Sequence, residues 1–306
     1  MPASKNHPQW RYFLRNRWLY FLLIPGILYL FIFNYLPMYG IIISFKDFSF
    51  RKGILGSEWI GFANYREMFA SETFWNVLKN SIVLSLYRLA ASFPFPILLA
   101  LLLNEVRHKY FKKAVQTIIY LPHFVSWVVF AGMVQLFLSP TDGMINMLIK
   151  MLGGEPIPFL QRSEYFRTIL VISGIIKSAG WGTIVYLAAI TAIDQEMYEA
   201  AVIDGANRLQ KMFYLTIPCI SNTIVILLIL DMGSLLKNGF EQVYLLYNPL
   251  VYDVADIIET YVYRLGLEGG QYSYTTAVGL FQSVVGMIMI LAANAVTRRI
   301  SDNNLF

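Results

Sequence analysis

The sequence predicts an all-α membrane protein with about six transmembrane helices. Of its 306 residues, 57% are hydrophobic and only 14% are charged, whereas a soluble domain carries about 25% charge. Mean hydropathy is +0.54. The apolar residues gather in six stretches, each near the ~20 residues that cross ~30 Å of hydrocarbon at ~1.5 Å per residue.

The first stretch runs from Trp18 to about Ser44, and Pro25 and Pro37 are expected to kink or end it. Arg11, Arg15 and Arg17 precede it as in a signal peptide. However, the stretch is too long for a signal core and lacks a small-residue cleavage site, so it reads as a retained first helix. The second is about Asn80 to Leu103, the third about Ala114 to Leu138 and the fourth about Thr168 to Ile193. The fifth is about Ile217 to Leu236 and the sixth about Thr276 to Thr297. One transmembrane domain, 1–306, accounts for the chain. Its core is about 75–298, and residues 1–45 form an N-terminal tail and first helix.

Charge sets the expected orientation. Lys5, Arg11, Arg15 and Arg17, then Arg107, Lys109, Lys112 and Lys113, then Arg208 and Lys211, and finally Arg298 and Arg299 fall on one side if the chain crosses six times. Basic loops face the cytoplasm, so both termini are expected there, in a multi-pass protein of the cell membrane. The longer loops at about 46–79, 139–167 and 237–275 lie opposite and carry most of the acidic residues. The net charge of +5 is read as this topological bias and not as a nucleic-acid surface. One cysteine, Cys219, excludes an internal disulfide and a thiolate zinc site, and three histidines give little basis for any metal. No Gly-Lys pair, and so no phosphate-binding P-loop, is present. No catalytic constellation stands out, and no cofactor is expected on this chain.

The loop between the fourth and fifth stretches has its own grammar. Asp194 can cap a short helix rich in Glu199, Ala200 and Ala201. Asp204-Gly205 then makes a turn, because glycine accepts positive φ cheaply. A second short helix, about Ala206 to Leu215, leads to Pro218. Small residues at the bend make a compact knob suited to a groove in another protein, or simply a link between two spans.

Glu199-Ala200-Ala201, then Asp204-Gly205-Ala206, then Pro218 resembles the EAA coupling loop of ABC-importer permeases. QTIIYLPHFVSW from Gln116, KSAGW from Lys177, YLAA from Tyr186, GFEQ from Gly239 and TYVYR from Thr260 extend the resemblance over nearly the whole chain. They are similar to the maltose-type, binding-protein-dependent sugar permeases, in the complex-oligosaccharide branch of Gram-positive bacteria. The resemblance implies a cytoplasmic EAA coupling loop that docks on an ABC ATPase dimer through Glu199, Ala200, Ala201, Asp204, Gly205 and Ala206. It also implies a second, homologous permease subunit and an extracellular solute-binding protein that delivers an oligosaccharide. ATP and Mg would reside in the partner ATPase, so this chain is not expected to be an enzyme. A stand-alone secondary transporter is the alternative, but six spans without a visible inverted repeat weigh against it.

Ionisable residues inside spans are costly and mark function by default. Arg88, Lys177 and Asp231 are of this kind. Lys177 and Trp181 could line a sugar cavity, or Lys177 could pair structurally with Asp231. Gly180 and Gly182 beside them permit close helix approach. Glu241, Gln242 and Tyr244, with Trp127 and more weakly Gln135, suit a sugar path, since aromatic faces and side-chain amides or carboxylates match sugar rings and hydroxyls. The tyrosines at 247, 252, 261, 263, 272 and 274 read equally as an interfacial belt. His123 reads as a packing residue.

Overall fold

A computed structural model of the chain describes residues 15–233, 236–237 and 239–300. Lys5 and Arg11 of the predicted N-terminal tail therefore lie outside the described residues, as does part of the end of the fifth stretch. Among the described residues, four continuous helical segments are long and apolar enough to span a bilayer: Arg17–Phe45, Glu72–Glu105, Ser163–Thr191 and Tyr272–Ala292. Two bent pairs, Lys109–Phe124 with Trp127–Phe137 and Arg208–Cys219 with Ser221–Gly233, bring the total to six if each pair is one span.

The first span passes through Pro25 without ending. Its winding then changes, to a wider π-turn over Phe31–Tyr35 and a tighter 3-10 stretch over Leu36–Phe45, which has Pro37 in its first turn. None of Arg17–Leu30 is buried. That apolar surface faces outward from the chain, and only the 36–45 end packs against the last span. The second span is 34 residues long, about 51 Å at 1.5 Å per residue, so it overreaches the hydrocarbon. Ser71 caps its start by accepting from the Phe74 N–H at 3.3 Å.

The third stretch is not one helix. It breaks by 104° between Lys109–Phe124 and Trp127–Phe137, more sharply than a proline kink. Pro122 removes a donor from the last turn, Val125 is extended, and Ser126 starts a new helix by accepting from the Val129 N–H at 3.3 Å. The fifth bends by 63° at Ile220, just beyond Pro218. A two-residue antiparallel pairing, Lys46↔Trp59 and Asp47↔Glu58, is a small exception to the all-α expectation.

The fourth span is the centre of the molecule. It packs on the 94–105 and 109–124 helices and on the 72–92 helix. Gly180 makes this possible: a Cβ there would lie 1.9 Å from the Ile119 carbonyl oxygen, so only glycine allows the two backbones to touch. Toward the 192–220 side, Ala100, Leu103, Tyr186, Leu187 and Ile190 pack with Met212 and Ile220. Toward the other side, Leu84, Phe166, Leu170 and Val243 form one cluster, and Phe74, Val77, Ile258, Tyr261 and Val278 another.

Candidate functional site

The 194–216 loop is two short helices joined back to back by their caps. Asp194 accepts from the Glu196 N–H at 3.0 Å and starts the helix Gln195–Ile203. At its end the Ala206 N–H donates to the Ala201 carbonyl at 2.9 Å and the Gly205 N–H to the Val202 carbonyl at 3.0 Å. Those two bonds form a Schellman motif, whose C′ residue must be left-handed. Gly205 holds that place at φ +79°. The next helix begins with a capping box: Asn207 accepts from the Gln210 N–H at 2.9 Å, and the Gln210 side chain accepts from the Asn207 N–H at 2.8 Å. Helical turns then continue as far as Cys219, beyond the Leu215 end expected from sequence.

No residue of Gln195–Ile203 is buried. Val202 (57% exposed) and Ile203 (86%) present apolar surface beside Glu199. Glu199 lines a groove of about 720 Å³ with Asn104, Glu105, Arg107 and Lys211. Asp204, Gly205 and Ala206 line a smaller one of about 370 Å³. Arg208 reaches Glu105 at 3.8 Å and Tyr198 shares a 2.9 Å hydrogen bond with Thr216, so the knob is tethered to the ends of the second and fifth spans.

A second constellation surrounds the break in the third span. The break leaves helical carbonyls under-satisfied, and Lys177 from the fourth span donates to three of them, including that of Pro122, which also accepts from the Val125 N–H at 3.3 Å. Its ammonium donates to the carbonyls of Val125 (2.5 Å), Pro122 (3.2 Å) and His123 (3.2 Å). It also lies 5.1 Å from the centre of the Trp127 ring. At 6% exposure Lys177 is an interior residue; its donors are taken by carbonyls, and the ion pair with Asp231 does not form. Four residues along, Trp181 is 47% exposed and stacks on His123 at 4.5 Å with the planes 4° apart. His123 packs as expected, but on a specific partner that its sequence position did not reveal.

The third constellation is at the 240–264 segment. Gln242 is 2% exposed. Its amide donates to the Leu170 carbonyl (2.7 Å) and the Ser173 hydroxyl (2.8 Å), and its oxygen accepts from Arg88 Nη2 (2.6 Å). It therefore ties the second and fourth spans to the 240–246 helix from the interior. Neighbouring Glu241 is exposed. Tyr244 is half-buried in a cluster with Phe240 (5.1 Å between rings), Tyr263 (5.0 Å) and Tyr247 (5.8 Å). Tyr261 and Tyr274 join hydroxyls at 3.0 Å inside the core, so they are not belt residues. Gln135 donates to the Leu245 carbonyl at 2.8 Å.

Around this segment runs a polar network that the sequence did not signal as a unit. Asn80 donates to the Asp253 carbonyl (2.9 Å) and accepts from Arg167 (2.8 Å), while Arg264 grips Asp256 with its two terminal guanidinium nitrogens (2.5 and 3.2 Å). Replacing Gln242 with leucine is expected to remove one donor each from the Ser173 hydroxyl and the Leu170 carbonyl and one acceptor from Arg88. A loss of about 2–4 kcal/mol follows from three lost hydrogen bonds, one of them to a charged group, read as a lower Tm of the purified subunit. An unchanged Tm would show that the tie is slack.

Comparison with known proteins places this architecture. Residues 92–302 match the family described as binding-protein-dependent transport system inner membrane component. Protein LplB of Bacillus subtilis is 50% identical over 95% of this chain and 92% of its own length. The polygalacturonan/rhamnogalacturonan transport system permease protein YteP of the same organism is 48% identical over 96% of this chain and 91% of its own length. A chain of a bacterial alginate ABC transporter, solved in complex with an alginate pentasaccharide-bound periplasmic protein, superimposes with a TM-score of 0.89 at 44% identity, covering 97% of this chain and 99% of that one. The chain therefore belongs to the binding-protein-dependent inner membrane components, the permease subunits of ATP-binding-cassette importers.

Proposed function

We propose that this permease carries uronate-bearing oligosaccharides into the cell by alternating access. The supporting observation is that two strong matches, the polygalacturonan/rhamnogalacturonan permease and the alginate transporter, are named for polymers of acidic sugars. In this reading the chain pairs with a second permease subunit. A binding protein delivers the oligosaccharide on the side away from the EAA-like loop, and both termini are cytoplasmic. The loop seats Glu199, Ala200, Ala201, Asp204, Gly205 and Ala206 in a cleft of an ATPase dimer, which holds the ATP and Mg. Closure of that dimer draws the knobs together and turns the path outward. No observation favours the stand-alone secondary transporter.

Trp181, Trp127, Glu241 and Tyr244 are assigned to the sugar path, with Lys177 and Gln242 acting behind it as positioning residues. The half-exposed Trp181 ring, backed by His123, offers one free face for a sugar ring. Trp181→Ala is expected to lower uptake about tenfold, the equivalent of about 1.4 kcal/mol of lost stacking, without loss of assembly. Substrate class is tested with the assembled importer in proteoliposomes. Binding protein loaded with oligogalacturonate should stimulate ATP hydrolysis, and a neutral oligosaccharide of equal length should not. Equal stimulation by both would overturn the acidic assignment.

A further inference from the structure

The connector between the third and fourth spans carries a helix, Met144–Met151, that the transport reading does not use. It lies on the face of the molecule opposite the 192–207 loop, because the fourth span crosses between them. At eight residues it is about 12 Å long, too short to cross a bilayer. Its inner face is fixed by Asn146, which is fully buried. The Asn146 amide donates to the Ser139 and Ile157 carbonyls (both 2.9 Å), and its oxygen accepts from the Ile157 N–H (2.7 Å). That clamp ties both ends of the connector to one residue and sets which face of the helix turns outward.

The outward face is apolar. Met144 is 56% exposed, Met147 51%, Leu148 55%, Met151 74% and Leu152 88%. With Ile145 these positions cover an arc of about 160° at ~100° per residue, and Asn146 lies on the opposite side. Lys150 stands at the polar margin of the arc and is exposed. Just before the connector, the third span ends in exposed Met133, Leu136 and Phe137, so the apolar arc follows directly on exposed apolar residues of a spanning segment.

We propose that residues 144–152 form an interfacial helix. It lies in the headgroup layer of the leaflet opposite the coupling loop, with the Met144, Met147, Leu148 and Met151 side chains among the acyl chains and Lys150 among the phosphates. Two features favour lipid over a soluble partner. A delivery protein that comes and goes would leave this face in water for part of each cycle, and contiguous exposed apolar patches are avoided on wet surfaces. The face also carries no charge to set a docking register, while a lysine at the rim is the arrangement that snorkels to headgroups.

Site-directed spin labelling of the full chain tests this. Cys219, the only cysteine, is replaced by serine, and single cysteines are placed at 144, 147, 148, 150 and 151 in phosphatidylcholine/phosphatidylglycerol bilayer discs. Collision rates with oxygen and with a water-soluble nickel chelate are then compared. The ratio of oxygen to nickel collisions should be at least threefold higher at 144, 147, 148 and 151 than at 150. Nickel access at those four sites equal to that at 150 would place the helix in water and overturn the proposal. Exclusion of both reagents would mean that protein covers the face and would overturn it equally.

Discussion

Replacing Lys177 with methionine is expected to lower the stability of the purified permease by about 2–4 kcal/mol and to slow transport without weakening recognition of the loaded binding protein. The ammonium is hydrogen-bonded to three carbonyls at the break of the third span. A carbonyl that loses its donor away from water costs about 1–3 kcal/mol, within a bilayer stretch no water replaces that donor, and only the Pro122 carbonyl keeps a second one, the Val125 N–H. The contact with the Trp127 ring adds about 0.5–2 kcal/mol. Relief of the buried charge offsets part of this sum. Lys177→Arg keeps a cation and donors but not their compact geometry, so it should fall between the two. The measurements are thermal unfolding and the kinetics of ATP hydrolysis stimulated by loaded binding protein. A fall in Tm and maximal rate at constant KM supports positioning. A raised KM with unchanged Tm would instead mean that Lys177 contacts the sugar, and the positioning role would be wrong.

Gly205→Val should abolish coupling while leaving the subunit folded and assembled. A Cβ at this position meets no atom within 4 Å, so no clash contributes and the penalty is purely conformational. A left-handed residue with a side chain costs about 1–2 kcal/mol, and a β-branched one sits at the upper end. That is enough to shift the knob's population about tenfold or more away from the Schellman geometry. Its two capping hydrogen bonds, Ala206 to Ala201 and Gly205 to Val202, would open, and the Glu199-bearing helix would lose its fixed angle to the 208–219 segment. Expected are unchanged assembly, ATP hydrolysis that no longer responds to loaded binding protein, and uptake reduced at least tenfold. Gly205→Asn, which tolerates the left-handed conformation, should retain much of both. Wild-type uptake in the valine variant would refute the coupling role.

The knob was legible in advance because its determinants are local. Asp194 as cap, Gly205 as the left-handed residue and Pro218 near the next bend each act on backbone within a few residues of themselves, so their sequence order is also their geometry. The residues near the bilayer interior were legible only as anomalies. Lys177, Arg88 and Gln242 stood out as polar groups in or beside apolar stretches, but not one partner was foreseen. Those partners are 52 to 154 positions away, and no local pattern encodes them. The third span shows the same limit: Pro122 signalled a weak point, yet a 104° break also needs Ser126 to restart the helix and Lys177 to hold the carbonyls it frees.

Sequence by itself determined that the chain lives in a bilayer, where its spans lie, and that a capped helix-turn-helix separates the fourth from the fifth. Apolar length, charge bias and turn chemistry are additive along the chain. Only the tertiary structure decided what the intramembrane polar residues do. It gave Lys177 three carbonyls at the break of the third span, and it gave Gln242 a carbonyl, a hydroxyl and a guanidinium on two other spans. The physical reason is that a polar group without water must be satisfied by whatever backbone or side chain folding brings within about 3 Å. That neighbour is chosen by the packing of whole helices, here set by the contact of Gly180 with the Ile119 carbonyl.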